Sequence, residues 1–167
     1  MNALALGLLL ALPTLAQKVD LEFDQQVDFT KFKTFAIRDG RLNSKDPMLN
    51  NDLIRKRLEA DLQKDFAARG LTFVESGRAD LNVRYTLGAA QKREIEHYPA
   101  GWRGMGTRTV RVPYTAGSLV IDLRDSESRT LVWRAAAHEE SRDPATIERK
   151  LDDMVKKAVD KYPPKKK

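Results

Sequence analysis

Between Gly117 and Ala137 the sequence reads GSLVIDLRDSESRTLVWRAAA, two alternating apolar runs around a short polar loop. In the first run Leu119, Ile121 and Leu123 fall on one side and Asp122 and Arg124 on the other. In the second, Leu131, Trp133 and Ala135 share a side while Arg134 points away. A period of two built from β-branched and aromatic residues does not fit a helix, whose apolar positions recur every three or four residues. The stretch therefore predicts an antiparallel hairpin with one buried face, and that hairpin needs a layer to bury it.

The layer is legible elsewhere. Asn50, Asn51 or Asp52 can cap a helix running to Arg69, with Ile54, Leu58, Leu62 and Phe66 four apart and Leu53 beside them, and Gly70 at its C-terminal end. A second helix is expected near the end of the chain. Asp143 is its cap, Pro144 its first residue, and Ile147, Leu151, Met154, Val155, Ala158 and Tyr162 form its apolar stripe up to Pro163.

Further strands are expected at Val19 to Phe23, Thr34 to Ile37, Leu71 to Val74 and Asp80 to Leu87, with a loop from Asp39 to Pro47. The fold class is α+β: a mainly antiparallel sheet of about five or six strands with two amphipathic helices packed on one face. At 167 residues the chain has room for one such core.

The first sixteen residues, MNALALGLLLALPTLA, contain no charge. An apolar run, a breaking Pro13 and small residues before Gln17 follow the pattern of a secretory leader cleaved between Ala16 and Gln17, although no Lys or Arg precedes the run. The run is too short for a comfortable membrane span. The expected organisation is a signal peptide at 1–16, one domain at 17–162 and a basic tail at 163–167, in a periplasmic, exported protein that is at most peripherally attached to the envelope. The mature chain is expected to have no transmembrane span. The sequence contains no cysteine, which excludes disulfides, thiol catalysis, thiolate metal sites and a lipid-modified N-terminal Cys.

Residues 88–116 break the alternation. Four of the nine glycines fall here, and the segment reads as a long connection with a short strand near Thr107 to Val112. Arg93, Tyr98, Trp102, Arg103, Arg108, Arg111 and Tyr114 interleave cations with aromatic rings, a composition suited to glycans, phosphate headgroups or single-stranded nucleic acid. These seven are the candidate ligand-binding residues. The plain alternative is a hairpin extension whose aromatics pack on the sheet. The net charge of +6, from 30 Lys and Arg against 24 Asp and Glu, favours anionic partners and also simple solubility.

No catalytic residues, cofactor or metal site are assigned. The two histidines, His97 and His138, lack metal-ligand spacing. Asp122, Asp125 and Glu127 do not follow a calcium-loop pattern and are expected to pair with Arg124, Arg129 or Arg134.

The order of FTKFKTFAI, a capped helix ending at Gly70, RADLNVRY, the 117–137 hairpin and a terminal helix running into YPP resembles the bacterial domain-of-unknown-function family 4136. That resemblance implies an exported envelope protein, frequently a lipoprotein, with no established enzymatic activity and no catalytic residues to carry over. Lacking a leader Cys, this chain departs from the lipoprotein pattern.

The expected function is a non-enzymatic binding module for an envelope protein or an anionic envelope component. The alternative is an envelope hydrolase using Asp and Glu residues in a cleft. Export disfavours nucleic acid as a partner.

Overall fold

In the computed structural model the described residues are 18–100, 106–141 and 145–165, with side chains described outside 91–100 and 106–114. Six strands form one sheet: β1 (Lys18–Phe23), β2 (Thr34–Ser44), β3 (Thr72–Phe73), β4 (Leu81–Ala100), β5 (Gly106–Asp125) and β6 (Leu131–Ser141). Their order across the sheet is β1-β6-β5-β4-β2-β3. Helices α1 (Asp52–Ala68), α2 (Ala145–Arg149) and α3 (Leu151–Val159) pack against it, and a 3-10 turn spans Phe29–Lys31.

The 117–137 stretch is the β5–β6 hairpin at the centre of this sheet. Leu123 pairs with Trp133, Ile121 with Ala135 and Leu119 with Ala137, so the apolar positions stack in rows on one face. β4 and β1 extend the same rows: Tyr85 lies opposite Ile121, and Leu21 opposite Ala135. One departure from strict alternation is a bulge between Leu123 and Arg124, where Val132 is the extra residue. The bulge turns Val132 inward, 1% exposed, rather than to the face opposite Trp133.

The sheet is mixed. β2 runs parallel to both β3 and β4, while β4–β5, β5–β6 and β1–β6 are antiparallel. Parallel neighbours need a long crossover, and α1 supplies it between β2 and its two partners. β2 is also much longer than its apolar start at Thr34 to Ile37. It continues through the stretch expected to be a loop, with a bulge between Ile37 and Asp39, and keeps pairing with β4 as far as Ser44. Backbone ladder bonds need no particular side chain, so polar residues there extend the strand without an apolar signal.

α1 begins at Asn51, whose Oδ1 accepts the backbone N–H of Leu53 and Ile54, both at 3.0 Å. Ile54, Leu58, Leu62 and Phe66 are buried, whereas Leu53 is turned outward at 77% exposed. Gly70 follows at φ +85°, the left-handed conformation a helix exit demands.

The expected single terminal helix is instead two. The break falls at Lys150, whose ammonium reaches Oε1 of the buried Glu139 on β6 at 2.6 Å. Its stripe is buried as expected, and Tyr162 lies beyond the last turn. α2 approaches β5 closely because Gly117 has no side chain: a Cβ there would sit 2.7 Å from Cγ2 of Ile147. Asp143 and Pro144 lie outside the described residues.

The phrase from Asp28 to Phe35 is core and cap together. Asp28 Oδ1 accepts the Thr30 N–H at 2.9 Å and starts the 3-10 turn; Phe29 within it, Phe32 just after it and Phe35 on β2 are all buried. Asp80 locks β2 beside β4. Its Oδ2 accepts the N–H groups of Lys33 (2.8 Å) and Thr34 (2.9 Å), and its own N–H donates to Thr34 Oγ1 at 2.9 Å. Those backbone donors hold its carboxyl below the usual carboxylate range.

A folded-state pKa below the unfolded one adds stability that is present above the unfolded value and lost as pH falls through the folded one. Asp80 is exposed and its bonds are partly screened by solvent, so Asp80→Asn is expected to cost under about 1 kcal/mol near neutral pH and to flatten the loss of stability below about pH 4. Urea unfolding at a series of pH values checks this; an unchanged acid limb contradicts it.

Candidate functional site

The helices cover only one face of the sheet, and alternation puts the remaining side chains of β1, β2, β4, β5 and β6 on the other. No helix among the described residues packs on that second face. Its middle is a row of charge across five strands, Asp39, Arg84, Asp122, Arg134 and Glu22, each opposite the next in the strand register. Signs alternate along it. Arg134 clasps Asp122 with two bonds, Nε to Oδ1 at 2.7 Å and Nη2 to Oδ2 at 2.8 Å, and this contact raises the Arg134 pKa. Arg84 Nε stands 3.7 Å from Asp39 Oδ2. The row neutralises itself, as opposite charges across strands do.

Toward one end of the face the side chains become small. Gly88 lies opposite Ser118, and Ser118 opposite His138. Ala90, Ala116 and these residues floor a groove of about 590 Å³ whose walls include Asn43, Lys18 and Glu140. His138 Nε2 stands 3.4 Å from Asp20 Oδ2 in the same wall. Beyond the groove the sheet narrows to two strands. β2 pairing with β4 stops at Ala89 and β6 pairing with β5 stops at Thr115, yet β4 and β5 stay paired to Ala100 and Gly106. At 3.3 Å per residue the paired backbone continues for about 30 Å. Residues 88–100 and 106–116 are thus paired strands and not a long connection with one short strand.

Five of the seven candidate binding residues have their backbone in this two-stranded arm: Arg93 and Tyr98 in β4, Arg108, Arg111 and Tyr114 in β5. Tyr98 is opposite Arg108, and Tyr114 opposite Lys92. Their side chains lie outside the described residues, as do Trp102 and Arg103 altogether. Ala16 and Gln17 also lie outside them. The groove at the base of the arm was not legible in the sequence, because Gly88, Ser118, Asn43 and His138 meet only through strand register.

Asp125, like Asp80, ties parts of the fold together. Asp125 accepts the Lys31 ammonium at 3.0 Å, Glu127 N–H at 2.8 Å and Ser128 N–H at 3.3 Å, so its partner is Lys31 and not an arginine of its own hairpin. Burial pushes its pKa up, but the Lys31 bond and the two N–H donors outweigh that and the net shift is downward. Asp80 and Asp125 line one cleft of about 220 Å³, both held ionised. Among the described residues no group of three or more His, Asp or Glu is placed to hold a metal ion, and no helix is long and apolar enough to cross a membrane.

Residues 19–164 match the family model of a domain of unknown function, DUF4136. Among solved structures, the chain resembles a PDZ domain protein from Parabacteroides distasonis, with TM-score 0.62 and 16% identity over 89% of this chain. It spans only 36% of that protein's length. It also resembles the PelC dodecamer from Paraburkholderia phytofirmans, with TM-score 0.51, 11% identity, and coverage of 86% of this chain and 95% of that one. At these identities the likeness is one of fold. No curated protein sequence matches the chain.

Proposed function

This chain belongs to the DUF4136 family, and on that premise we propose that it is a non-catalytic binding module of the bacterial cell envelope. Its recognition surface is the uncovered sheet face with the β4–β5 arm. The observation that carries this reading is the arm itself. A two-stranded ribbon is marginal in water on its own, so twenty-residue strands that outrun their neighbours are best explained by something they hold. The groove of small side chains at its base gives a partner room to approach the backbone. The uncharged leader at residues 1–16 supports an exported location.

The hydrolase alternative draws no support from the cleft between Asp80 and Asp125. A general acid needs a carboxyl with a raised pKa, and both of these are held low by donors that tie strands together.

Cell fractionation with N-terminal sequencing tests the location. The expected product is an envelope or periplasmic chain beginning at Gln17. A cytosolic chain that keeps residues 1–16 contradicts it.

A further inference from the structure

At the end of the open face away from the arm, four arginines converge. Asn82 lies opposite Arg124 in the register, one row beyond the self-neutralising charge row. Arg38, Arg84, Arg124 and Arg129 surround Asn82 in a cleft of about 280 Å³ with no carboxylate in its lining. Arg84 belongs to both, ending the charge row with Asp39 at 3.7 Å and facing this hollow, whereas Arg38, Arg124 and Arg129 have no acid partner among the described residues.

Two of these side chains are fixed by groups that carry no net charge. Arg38 donates to the Gly77 carbonyl through Nη2 and to Asn82 Oδ1 through Nε at 3.4 Å. Arg124 donates to the Arg129 carbonyl at 3.3 Å, and its buried Nε has no hydrogen-bond partner among the described residues. A half-buried arginine whose Nε is enclosed without a partner, and which has no counter-ion among the described residues, carries an unmet donor at a cost. Arg84 has only Asp39 at 3.7 Å, and Asp39 is shared with Arg41 at 3.4 Å. Arg129 is a non-glycine residue with positive φ, 61°, a conformation that a bulky L-residue adopts at a cost. The turn thus holds an arginine where glycine would be easier.

We propose that this cleft binds a phosphate group. Guanidinium forks match phosphate oxygens bidentately. A dianionic tetrahedral group offers enough oxygens and charge for several arginines at once, whereas a carboxylate offers two oxygens in one plane. The cleft is below the size usual for drug-like ligands, so it takes the phosphate and a few attached atoms. The site lies about 20 Å along β4 from the groove at Gly88 and does not depend on the proposed envelope role.

Calorimetric titration of the purified chain with inorganic phosphate, at ionic strength held constant with chloride, tests the site. Flotation with phosphatidylcholine vesicles, with and without phosphatidic acid, separates the two sources of a phosphomonoester. Saturable phosphate binding is expected, weakened about tenfold by Arg124→Gln and by Arg84→Gln. Arg129→Gly should also weaken it without lowering the melting temperature. Added retention on phosphatidic acid vesicles, lost in the same variants, assigns a lipid headgroup. Phosphate binding without vesicle retention assigns a soluble ester. Absence of binding in both arms, or binding that the glutamine variants leave unchanged, overturns the proposal.

Discussion

Trp133→Ala is expected to destabilise this protein by about 3–5 kcal/mol, the usual cost of removing a large aromatic from a core. For a domain of this size that lowers the melting temperature by roughly 10–20 °C. Trp133 is fully buried at the crossing of the sheet and the helices. Its ring meets Phe66 of α1 edge-on at 6.4 Å between centroids and Tyr162 at 6.1 Å. Tyr162 in turn meets Phe66 and Phe29, each at 5.9 Å. One indole therefore joins β6, α1 and the segment after α3, and alanine leaves all of them facing a void. Trp133→Phe should cost only about 1–2 kcal/mol, because it keeps most of the packing and removes an Nε1 donor that is buried with no partner among the described residues. Thermal and urea unfolding of both variants check this; equal losses contradict it. Tyr162 shares the enclosure, since burial, with a smaller contribution from Asp80, pushes its hydroxyl up to about 12.

The second large effect is expected at Gly40. A Cβ placed there would sit 2.3 Å from Cζ of Tyr85 and 2.4 Å from its hydroxyl oxygen, far inside contact distance. Gly40 and Tyr85 are directly opposite in the β2–β4 register, so the tyrosine ring crosses the glycine to reach α1. Its hydroxyl then donates to Glu59 Oε1 at 3.0 Å, and Arg55 donates to the Gly40 carbonyl at 2.5 Å. Burial first, and the Glu59 carboxylate second, raise the Tyr85 pKa far above its ordinary value, so the phenol stays a donor at any physiological pH. Gly40→Ala must expel the ring and is expected to cost about 3 kcal/mol. In a Tyr85→Ala background the same change should cost under about 1 kcal/mol, because the obstacle is gone. A double-mutant cycle by urea unfolding reads this directly, and additive costs would refute the assignment.

Gly40 also illustrates what could and could not be read from residues alone. Asp39-Gly40 reads as a turn, since that dipeptide favours one. Here the glycine serves a cross-strand ring, and nothing within β2 itself points to Tyr85, forty-five positions away. The 117–137 hairpin was legible because Leu119, Ile121, Leu123, Trp133 and Ala135 each have a polar neighbour that marks the opposite face. Val132 was not, because a bulge shifts the parity without a signature of its own. The α1 stripe and its Asn51 cap were legible for the same reason as the hairpin: period and cap chemistry are local. The parallel pairing of β2, the groove at Gly88 and the arginine cleft are all products of register. Arg38, Arg84, Arg124 and Arg129 carry no shared motif and meet only when β2, β4 and the β5–β6 turn come together. The paired segments 91–100 and 106–114 were read as part of a long connection, with a hairpin extension as the alternative, because glycines, prolines and charges there interrupt every apolar period. A ladder of backbone hydrogen bonds is indifferent to that.

The claim that the uncovered sheet face is the working surface can be tested by placing a photo-crosslinking side chain at Ser118, in the groove, and separately at Lys56, on the exposed side of α1. Both positions accept a larger side chain, since one borders an open groove and the other faces solvent. Irradiation of intact cells is predicted to give specific adducts with an envelope protein or an anionic envelope component from Ser118 and none from Lys56. Adducts from Lys56 alone, or from neither position, would contradict the account.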